Sequence, residues 1–287
     1  MILRASALVL AALVLISAAG CDEERQIAST EFDRLRVPTD YANIVRAMEE
    51  ADPGDMIVLE PGIHTGTGFK DITVVDKPLT IIAEEDAHTT ILDLGGSSLS
   101  FASGFKFENL ESPFVISGIT IRNGYASVGS AVNIQGCEPT FINCVFENNH
   151  ATTSGGAIRC KSAQPRFVNC TFVSNSTDMV GAAAMLLANS AATFKNCIIA
   201  GSTAGEAIYV SDNGSTPILE CCNIYDNAGG DWIEKIASQA SLPGNMSLDP
   251  LFCNGEIGDF RLDSESPCSR DNSYCGERIG ALGADCE

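Results

Sequence analysis

The sequence predicts an all-β fold, a solenoid of three parallel sheets with roughly eight coils, a short N-terminal capping helix and a disulfide-rich C-terminal cap. Two observations carry this prediction. A pattern of aromatic, cysteine and asparagine residues recurs about every 26 residues over the middle of the chain. Each period contains short β-prone runs separated by Gly, Asn, Ser and Pro instead of a long helical stripe. A repeat of this length and composition is typical of a β-solenoid.

The repeat is clearest around a column of cysteines. Phe141–Phe146 recurs as Phe167–Phe172 and, more weakly, as Phe194–Ile199 and Leu219–Ile224. An earlier copy, Val115–Thr120, fits the same frame with Gly118 in the cysteine column. The column then contains Gly118, Cys144, Cys170, Cys197 and Cys222, at steps of 26, 26, 27 and 25 residues. A second column keeps the same steps and contains Asn123, Asn149, Asn175, Ser202 and Asn227.

The columns predict how each coil is built. Asparagine precedes the cysteine at 143, 169 and 196, and it suits a one-residue corner because it tolerates left-handed backbone angles. With this corner, Phe141 and Phe167 point inward, and Cys144, Cys170, Cys197 and Cys222 stack as a buried ladder. Neighbouring in-register cysteines lie too far apart for a disulfide, and a 26-residue spacing does not resemble a zinc site, so we predict no metal. The asparagines of the second column are expected to stack at the next turn.

Segments at both ends resemble a known superfamily. Val37–Tyr41 and Ala51–Leu59 at the front, with Asp249–Phe252, Gly258–Leu262 and Ile279–Ala281 at the back, are similar to right-handed parallel β-helix proteins of the pectin-lyase-like superfamily. The resemblance implies a β-helix over residues 37–262, including its N-terminal cap, and a C-terminal cap over residues 263–287.

The N-terminal cap is predicted to be an amphipathic helix that covers the open end of the coil. Thr39 or Asp40 is expected to cap its N-terminus. One helical face would carry Tyr41, Ile44, Ala47, Met48 and Ala51.

The C-terminal cap is expected to be held by two disulfides. Its four cysteines, Cys253, Cys268, Cys275 and Cys286, lie in Gly- and Ser-rich sequence with few core residues. Three pairings of these four are open.

The first 20 residues have the features of an export signal: one charge at Arg4, an apolar run and small residues before Cys21. Ala19-Gly20-Cys21 resembles a bacterial lipobox, in which the cysteine is acylated; Ala18 departs from the usual Leu, so ordinary cleavage near Ala19 stays open. We therefore expect a signal peptide over residues 1–20 and a tether over residues 21–36. The protein would be exported and anchored by the lipid in the outer membrane or at the cell surface. The other eleven of the twelve cysteines are an odd number, so at least one thiol is expected to be free or paired with another molecule.

The charge of the chain excludes some partners. With 17 Lys and Arg against 37 Asp and Glu, the net charge is −20, so nucleic acid is excluded as a partner.

Catalysis has weak support in the sequence. Polysaccharide lyases of the resembled superfamily hold calcium on acidic residues of neighbouring coils, beside a basic residue. The best basic candidates here are Arg159 and Lys161, whose neighbours would be Asn133 and Gln135 one coil earlier and Leu186 and Ala188 one coil later. No carboxylates flank them, and Glu147 would lie alone between Ile121 and Val173.

A further resemblance concerns short motifs that β-helix geometry alone also explains. Gly155–Ile158 and Phe146–Asn149 match the GGA-I and F-x-x-N repeats of chlamydial polymorphic membrane adhesins. The function predicted from the sequence is a non-catalytic scaffold that binds glycan or a surface protein, without a cofactor. The alternative is a polysaccharide lyase, and calcium belongs to that alternative alone.

Overall fold

Short strands account for most of the ordered structure. The structure is a computed structural model that describes residues 32–181, 183–187 and 189–286. In chain order its helix and strands are β1 Arg34–Val37, α1 Ile44–Glu50, β2 Met56–Leu59, β3 Gly62–His64, β4 Ile72–Thr73, β5 Leu79–Ala83, β6 Thr90–Asp93, β7 Phe105–Glu108, β8 Phe114–Ser117, β9 Thr120–Arg122, β10 Tyr125–Val128, β11 Val132–Gln135, β12 Thr140–Ile142, β13 Val145–Glu147, β14 His150–Ser154, β15 Ile158–Lys161, β16 Arg166–Val168, β17 Thr171–Val173, β18 Ser176–Thr177, β19 Ala184–Leu187, β20 Thr193–Lys195, β21 Ile198–Ala200, β22 Ile208–Val210, β23 Ile218–Glu220, β24 Asn223–Tyr225, β25 Phe252–Asn254 and β26 Asp259–Leu262. Glu234–Ser241 and Gly255–Ile257 are 3₁₀ helices.

The strands stack into three main parallel sheets. Sheet 1 has the order β1-β2-β5-β8-β12-β16-β20-β23, sheet 2 has β24-β21-β17-β13-β9-β6-β3, and sheet 3 has β22-β19-β15-β11-β7-β4. A smaller side sheet, β10-β14-β18, lies between sheets 2 and 3 along the chain. The sheets of eight, seven and six strands make a β-solenoid of about seven turns, which confirms the predicted fold class.

The interior consists of stacked copies of the same side chains. Phe141 pairs with Phe167, and Phe167 with Phe194, in register across sheet 1. Their ring centroids are 5.1 and 5.0 Å apart, and all three rings are buried. Stacked aromatic rings at this separation gain contact energy beyond the burial of their area.

A single left-handed residue turns the chain from sheet 1 into sheet 2. Asn143, Asn169 and Asn196 have φ between 50° and 52°, and Cys221 has φ 54°. Gly118, at φ 71°, occupies this corner one turn earlier. The prediction that Gly118 lies in the cysteine column was therefore wrong by one residue. Glycine and asparagine are both suited to positive φ, and Ile119 takes the buried place of the cysteine.

The next turn is held by buried amides. Asn175 Oδ1 accepts hydrogen bonds from the backbone N and Nδ2 of Asn149, at 3.0 and 3.2 Å, and its Nδ2 donates to the carbonyl of Phe146. Asn227 binds Ser202 in the same way. Asn123 is not part of this column, since Gly124 stands there and donates its backbone N–H to Asn149 Oδ1.

The N-terminal end of the solenoid is covered by α1. Its own residues Ile44, Ala47 and Met48 are buried. Its N-cap is Asn43, whose Oδ1 accepts the Arg46 N–H, and not Thr39 or Asp40. Those two side chains are engaged elsewhere: Thr39 Oγ1 donates to Glu60, and Asp40 Oδ2 accepts the N–H of Arg36.

The boundary of the predicted tether is displaced. β1 begins at Arg34 and pairs with β2, so the ordered solenoid extends into the segment 21–36.

The C-terminal end is covered by residues 231–246, not by the predicted cap. Ile236 of this segment is buried in the main core, and Gln239 Oε1 accepts the N–H of Leu219 at 2.9 Å. The last strand of the parallel sheets is β24, and the two strands that follow it, β25 and β26, pair with each other in antiparallel fashion. The parallel coil therefore ends before Leu262.

Residues 249–286, named the strap here, lie along the outer face of sheet 2. Outward-facing Val145 and Val173 pack against Phe260 and Leu282 of the strap. The Ala281 N–H donates to Thr171 Oγ1 at 2.9 Å. The predicted C-terminal cap is thus a lateral strap. Val145 and Val173 are apolar side chains on the outer face of sheet 2, and covering them removes their surface from water.

Candidate functional site

Arg159 and Lys161, the catalytic candidates of the sequence, lie on the outward side of β15. Arg159 pairs with Asn133 and Met185, and Lys161 pairs with Gln135 and Leu187. The later neighbours are therefore Met185 and Leu187, one residue before the predicted Leu186 and Ala188.

Arg159 is held by a neutral neighbour. Its Nη1 donates to Asn133 Oδ1 at 3.2 Å. Within the described residues, neither Arg159 nor Lys161 has a carboxylate within 4.0 Å.

The sequence did not predict a row of charged side chains on the strands of sheet 2. Glu147 pairs with Arg122, not with Ile121, and Arg122 pairs with Asp93. Arg122 Nε lies 2.9 Å from Asp93, and its Nη1 lies 3.8 Å from Glu147. The prediction that Glu147 is isolated was therefore wrong.

The two carboxylates share one guanidinium unequally. Burial raises the pKa of Glu147, and the nearby Asp93 raises it further, whereas Arg122 lowers it.

Polar corner residues extend this row towards the side sheet. Asn123 Nδ2 donates to Asp93 at 3.0 Å, and Asn148 Nδ2 donates to Asn123 Oδ1 at 2.7 Å. Asn123 and Asn148 both have positive φ and follow the last residues of β9 and β13. The corner therefore holds two amides in a fixed orientation next to a carboxylate.

Aromatic rings lie directly beside the amides. Tyr125 and His150 begin β10 and β14, and their rings stack at 4.7 Å with an interplanar angle of 26°. Phe101 contacts Tyr125 at 5.4 Å and is 57% exposed. His150 Nδ1 lies 2.8 Å from Ser176 Oγ, and its Nε2 lies 3.6 Å from Asp178. These contacts orient the imidazole of His150, which lies on the same turn of the coil as Glu147.

The amides and rings line one groove of about 310 Å³, named the corner groove here. Its lining residues are Gly95, Gly96, Asn123, Gly124, Tyr125, Asn148 and His150. A Cβ at Gly96 would lie 2.5 Å from the backbone N of Tyr125, so only glycine fits there. The groove combines aromatic faces with amide donors and acceptors, which is the chemistry that recognises an uncharged, hydroxyl-rich ligand.

Sequence reasoning missed the corner groove, although a signal was present. Tyr125 and His150 are 25 residues apart, which is within the range of the repeat steps. An aromatic column outside the core would have indicated an outward stack.

The four cysteines at 144, 170, 197 and 222 all lie inside the coil and are fully buried. The thiol of Cys197 donates to the carbonyl of Phe167, one turn earlier, at 3.4 Å, and Cys170 and Cys222 repeat this contact with Phe141 and Phe194. Burial raises the pKa of the Cys197 thiol well above its usual range. The ladder is therefore thiol packing within the core.

Two disulfides involve the strap, one within it and one to the coil, with one partner different from the prediction. Cys253 bonds to Cys286, and Cys275 bonds to Cys221 of the coil corner. Cys268 is free and fully buried, and Asn223 Nδ2 donates to its sulfur at 3.2 Å. Cys268 is packed with Ile198 and Ile279, so its side chain belongs to the core under the strap. Cys221, at a left-handed corner, is outside the coil and reaches the strap.

Other predicted features fall on different parts of the chain. Cys21 and the signal peptide lie outside the described residues. In the described ranges, no helix has the length and apolar character needed to span a bilayer. The same ranges contain no group of three or more His, Cys, Asp or Glu side chains placed to hold a metal ion.

Comparison with known proteins identifies a family. A family model described as a right-handed β-helix region matches residues 88–246, more than half of the 287-residue chain. Among curated proteins no match is found.

Proposed function

The chain belongs to this right-handed β-helix family, and we propose that it is a non-catalytic scaffold of the cell envelope that binds glycans through the corner groove. The single observation that supports this proposal is the stacked pair of Tyr125 and His150 beside the amides of Asn123 and Asn148, with the ring of Phe101 tilted against Tyr125. A surface protein is the other partner class that a β-helix face could bind. The shape and lining of the groove favour the glycan.

The groove has the two kinds of group that sugar binding needs. The apolar face of a pyranose ring would pack on the half-exposed ring of Phe101 or on Tyr125. The hydroxyls of the sugar would exchange hydrogen bonds with Asn148, whose amide already contacts Asn123. Because these groups lie on stacked strands and corners, little side-chain freedom remains to be lost on binding.

A glycan array tests this proposal. The wild-type protein should bind a subset of neutral glycans, and Tyr125→Ala should weaken that binding by roughly tenfold. Tyr274→Ala is the matched control, because Tyr274 is 80% exposed on the strap, away from the groove lining. Binding that is equal in both variants, or the absence of any glycan binding, would refute the groove as the site.

The location at the envelope is a separate part of the proposal and rests on the lipobox-like residues that end at Cys21. Expressed in a bacterium with its full leader, the chain should partition into detergent and incorporate labelled palmitate. Cys21→Ser should abolish both. Partition of the Cys21→Ser variant with the wild-type protein would contradict a lipid anchor at this residue.

The resemblance to polysaccharide lyases supplies the competing function, with calcium as its cofactor. Incubation with polygalacturonate or alginate plus calcium should give no unsaturated product at ultraviolet wavelengths. Product that disappears in an Arg159→Ala, Lys161→Ala double variant would replace the scaffold proposal with a lyase.

A further inference from the structure

A second groove lies between the strap and the coil corners at Asn143 and Asn169, and it shares no lining residue with the corner groove. It measures about 540 Å³ and is named the strap groove here. Its lining residues are Asn143, Asn169, Ser264, Ser269, Arg270, Asp271, Glu277, Arg278, Gly283 and Ala284. Nothing in the repeat itself requires the polar side chains that the strap contributes.

Arg278 is the central cation of the strap groove. Its Nη2 donates to Asn143 Oδ1 at 3.0 Å, and its Nε donates to the carbonyl of Gly280 at 3.2 Å. Both partners are neutral, and within the described residues no carboxylate lies within 4.0 Å of the guanidinium. Burial lowers the pKa of Arg278, while the more distant Asp285 and Asp86 raise it. The guanidinium is therefore partly desolvated without a close counter-ion, which is costly unless an anion binds.

Ser269 provides an independent observation. It is only 4% exposed, and its Oγ has no hydrogen-bond partner. A buried hydroxyl without a partner costs free energy, so such groups are usually satisfied by something that binds. Ser269 lines the same groove as Arg278 and is followed directly by Arg270.

We propose that the strap groove binds an oxyanion, a carboxylate or a sulfate or phosphate ester, between the guanidinium of Arg278 and the hydroxyl of Ser269, with Arg270 at the mouth. Asp271 and Glu277 also line the groove, but both are exposed. Solvent therefore screens their repulsion of the anion more than it screens the attraction of the half-buried Arg278. An arginine fork matches the two oxygens of such an anion. The site is separate from the corner groove and does not depend on glycan binding there.

Calorimetric titration at constant ionic strength tests the site, with sodium sulfate, sodium phosphate and sodium glucuronate as probes and chloride as the compensating salt. The wild-type chain should bind at least one probe saturably. Ser269→Ala should weaken binding by roughly fivefold and leave the folded structure intact, because it removes only a hydroxyl that has no partner. Arg278→Gln should weaken binding by roughly tenfold or more.

The control is Arg166→Gln, which removes the same charge from an exposed position on β16 and should leave binding unchanged. If Arg278→Gln fails to fold, the anion binding of Ser269→Ala and Arg270→Gln still tests the site. Preference among sulfate, phosphate and glucuronate identifies the ligand class. Absence of saturable binding, or equal binding by wild type and Ser269→Ala, would overturn the site.

Discussion

The repeat and the strap are stabilised by opposite means. In the repeat, Phe141, Phe167 and Phe194 stack at about 5 Å without a disulfide among them. In the strap, few large side chains are buried; Cys253–Cys286 joins distant parts of the segment, and Cys221–Cys275 links the segment to a coil corner. A repeating coil can obtain its core by adding turns, whereas a single non-repeating segment needs covalent links. Substitutions in the two regions should therefore have different consequences, and the following four tests rank them by expected size.

Truncation inside the aromatic stack should have the largest effect. Phe167→Ala removes a fully buried ring that contacts the rings of Phe141 and Phe194. We expect a loss of about 3–5 kcal/mol in the free energy of unfolding, measured by urea denaturation. Phe101→Ala, which truncates a ring that is 57% exposed, should cost less than about 0.5 kcal/mol. A loss below about 1 kcal/mol for Phe167→Ala would mean that the stack is not the core.

Removing a strap disulfide should destabilise one segment and leave the coil folded. The Cys253→Ser, Cys286→Ser double variant should lose about 2–4 kcal/mol of local stability, seen as loss of hydrogen-exchange protection at strap amides. Cys268→Ala is the control, since Cys268 is free and both disulfides remain. Loss of protection throughout the coil in the double variant would show that strap and repeat unfold as one unit.

The asparagine ladder should contribute an intermediate amount. Asn175→Ala leaves the backbone N–H of Asn149 and the carbonyl of Phe146 without their partners in the interior. A loss of about 2 kcal/mol in chemical denaturation is expected. Asn213→Ala, at an exposed loop position, should be nearly neutral. Equal stability of the two variants would argue against a buried amide ladder.

The smallest expected effect is the pH dependence caused by Glu147. Burial raises its pKa in the folded state, so the folded chain binds the proton more tightly than the unfolded chain does, and stability falls as pH rises from the unfolded value through the folded value. Glu147→Gln should remove this fall, so the variant should gain stability relative to wild type as the pH is raised from about 4 to about 7. Urea denaturation of both proteins at each pH measures this difference in the free energy of unfolding. A relative loss at pH 7 would show that the ion pair with Arg122 outweighs burial.

The parts of the fold that repeat could be predicted, and the parts that do not repeat could not. The inward Phe and Cys ladders follow from residue type and period, because a parallel coil places each column on itself. The corner at Gly118 was misplaced because Gly suits a left-handed corner as well as Asn does, and the spacing of the first turn is one residue shorter.

The strap and its partners depend on tertiary contacts. The spacing of the cysteines says nothing about a bond between Cys275 and Cys221, 54 residues away. Arg122 and Glu147 are neighbours because β9 and β13 pair one residue out of the register that the repeat predicted, which had placed Ile121 beside Glu147. The corner groove lies in the side sheet, a part of the coil that the repeated columns do not describe.

The most direct test of the account is an experimental structure of the chain by crystallography, read at three rings. We expect Phe141, Phe167 and Phe194 to lie over one another inside three parallel sheets, with centroids about 5 Å apart. A structure in which these rings are separated by more than one strand spacing, or point to solvent, would contradict the solenoid and both grooves with it.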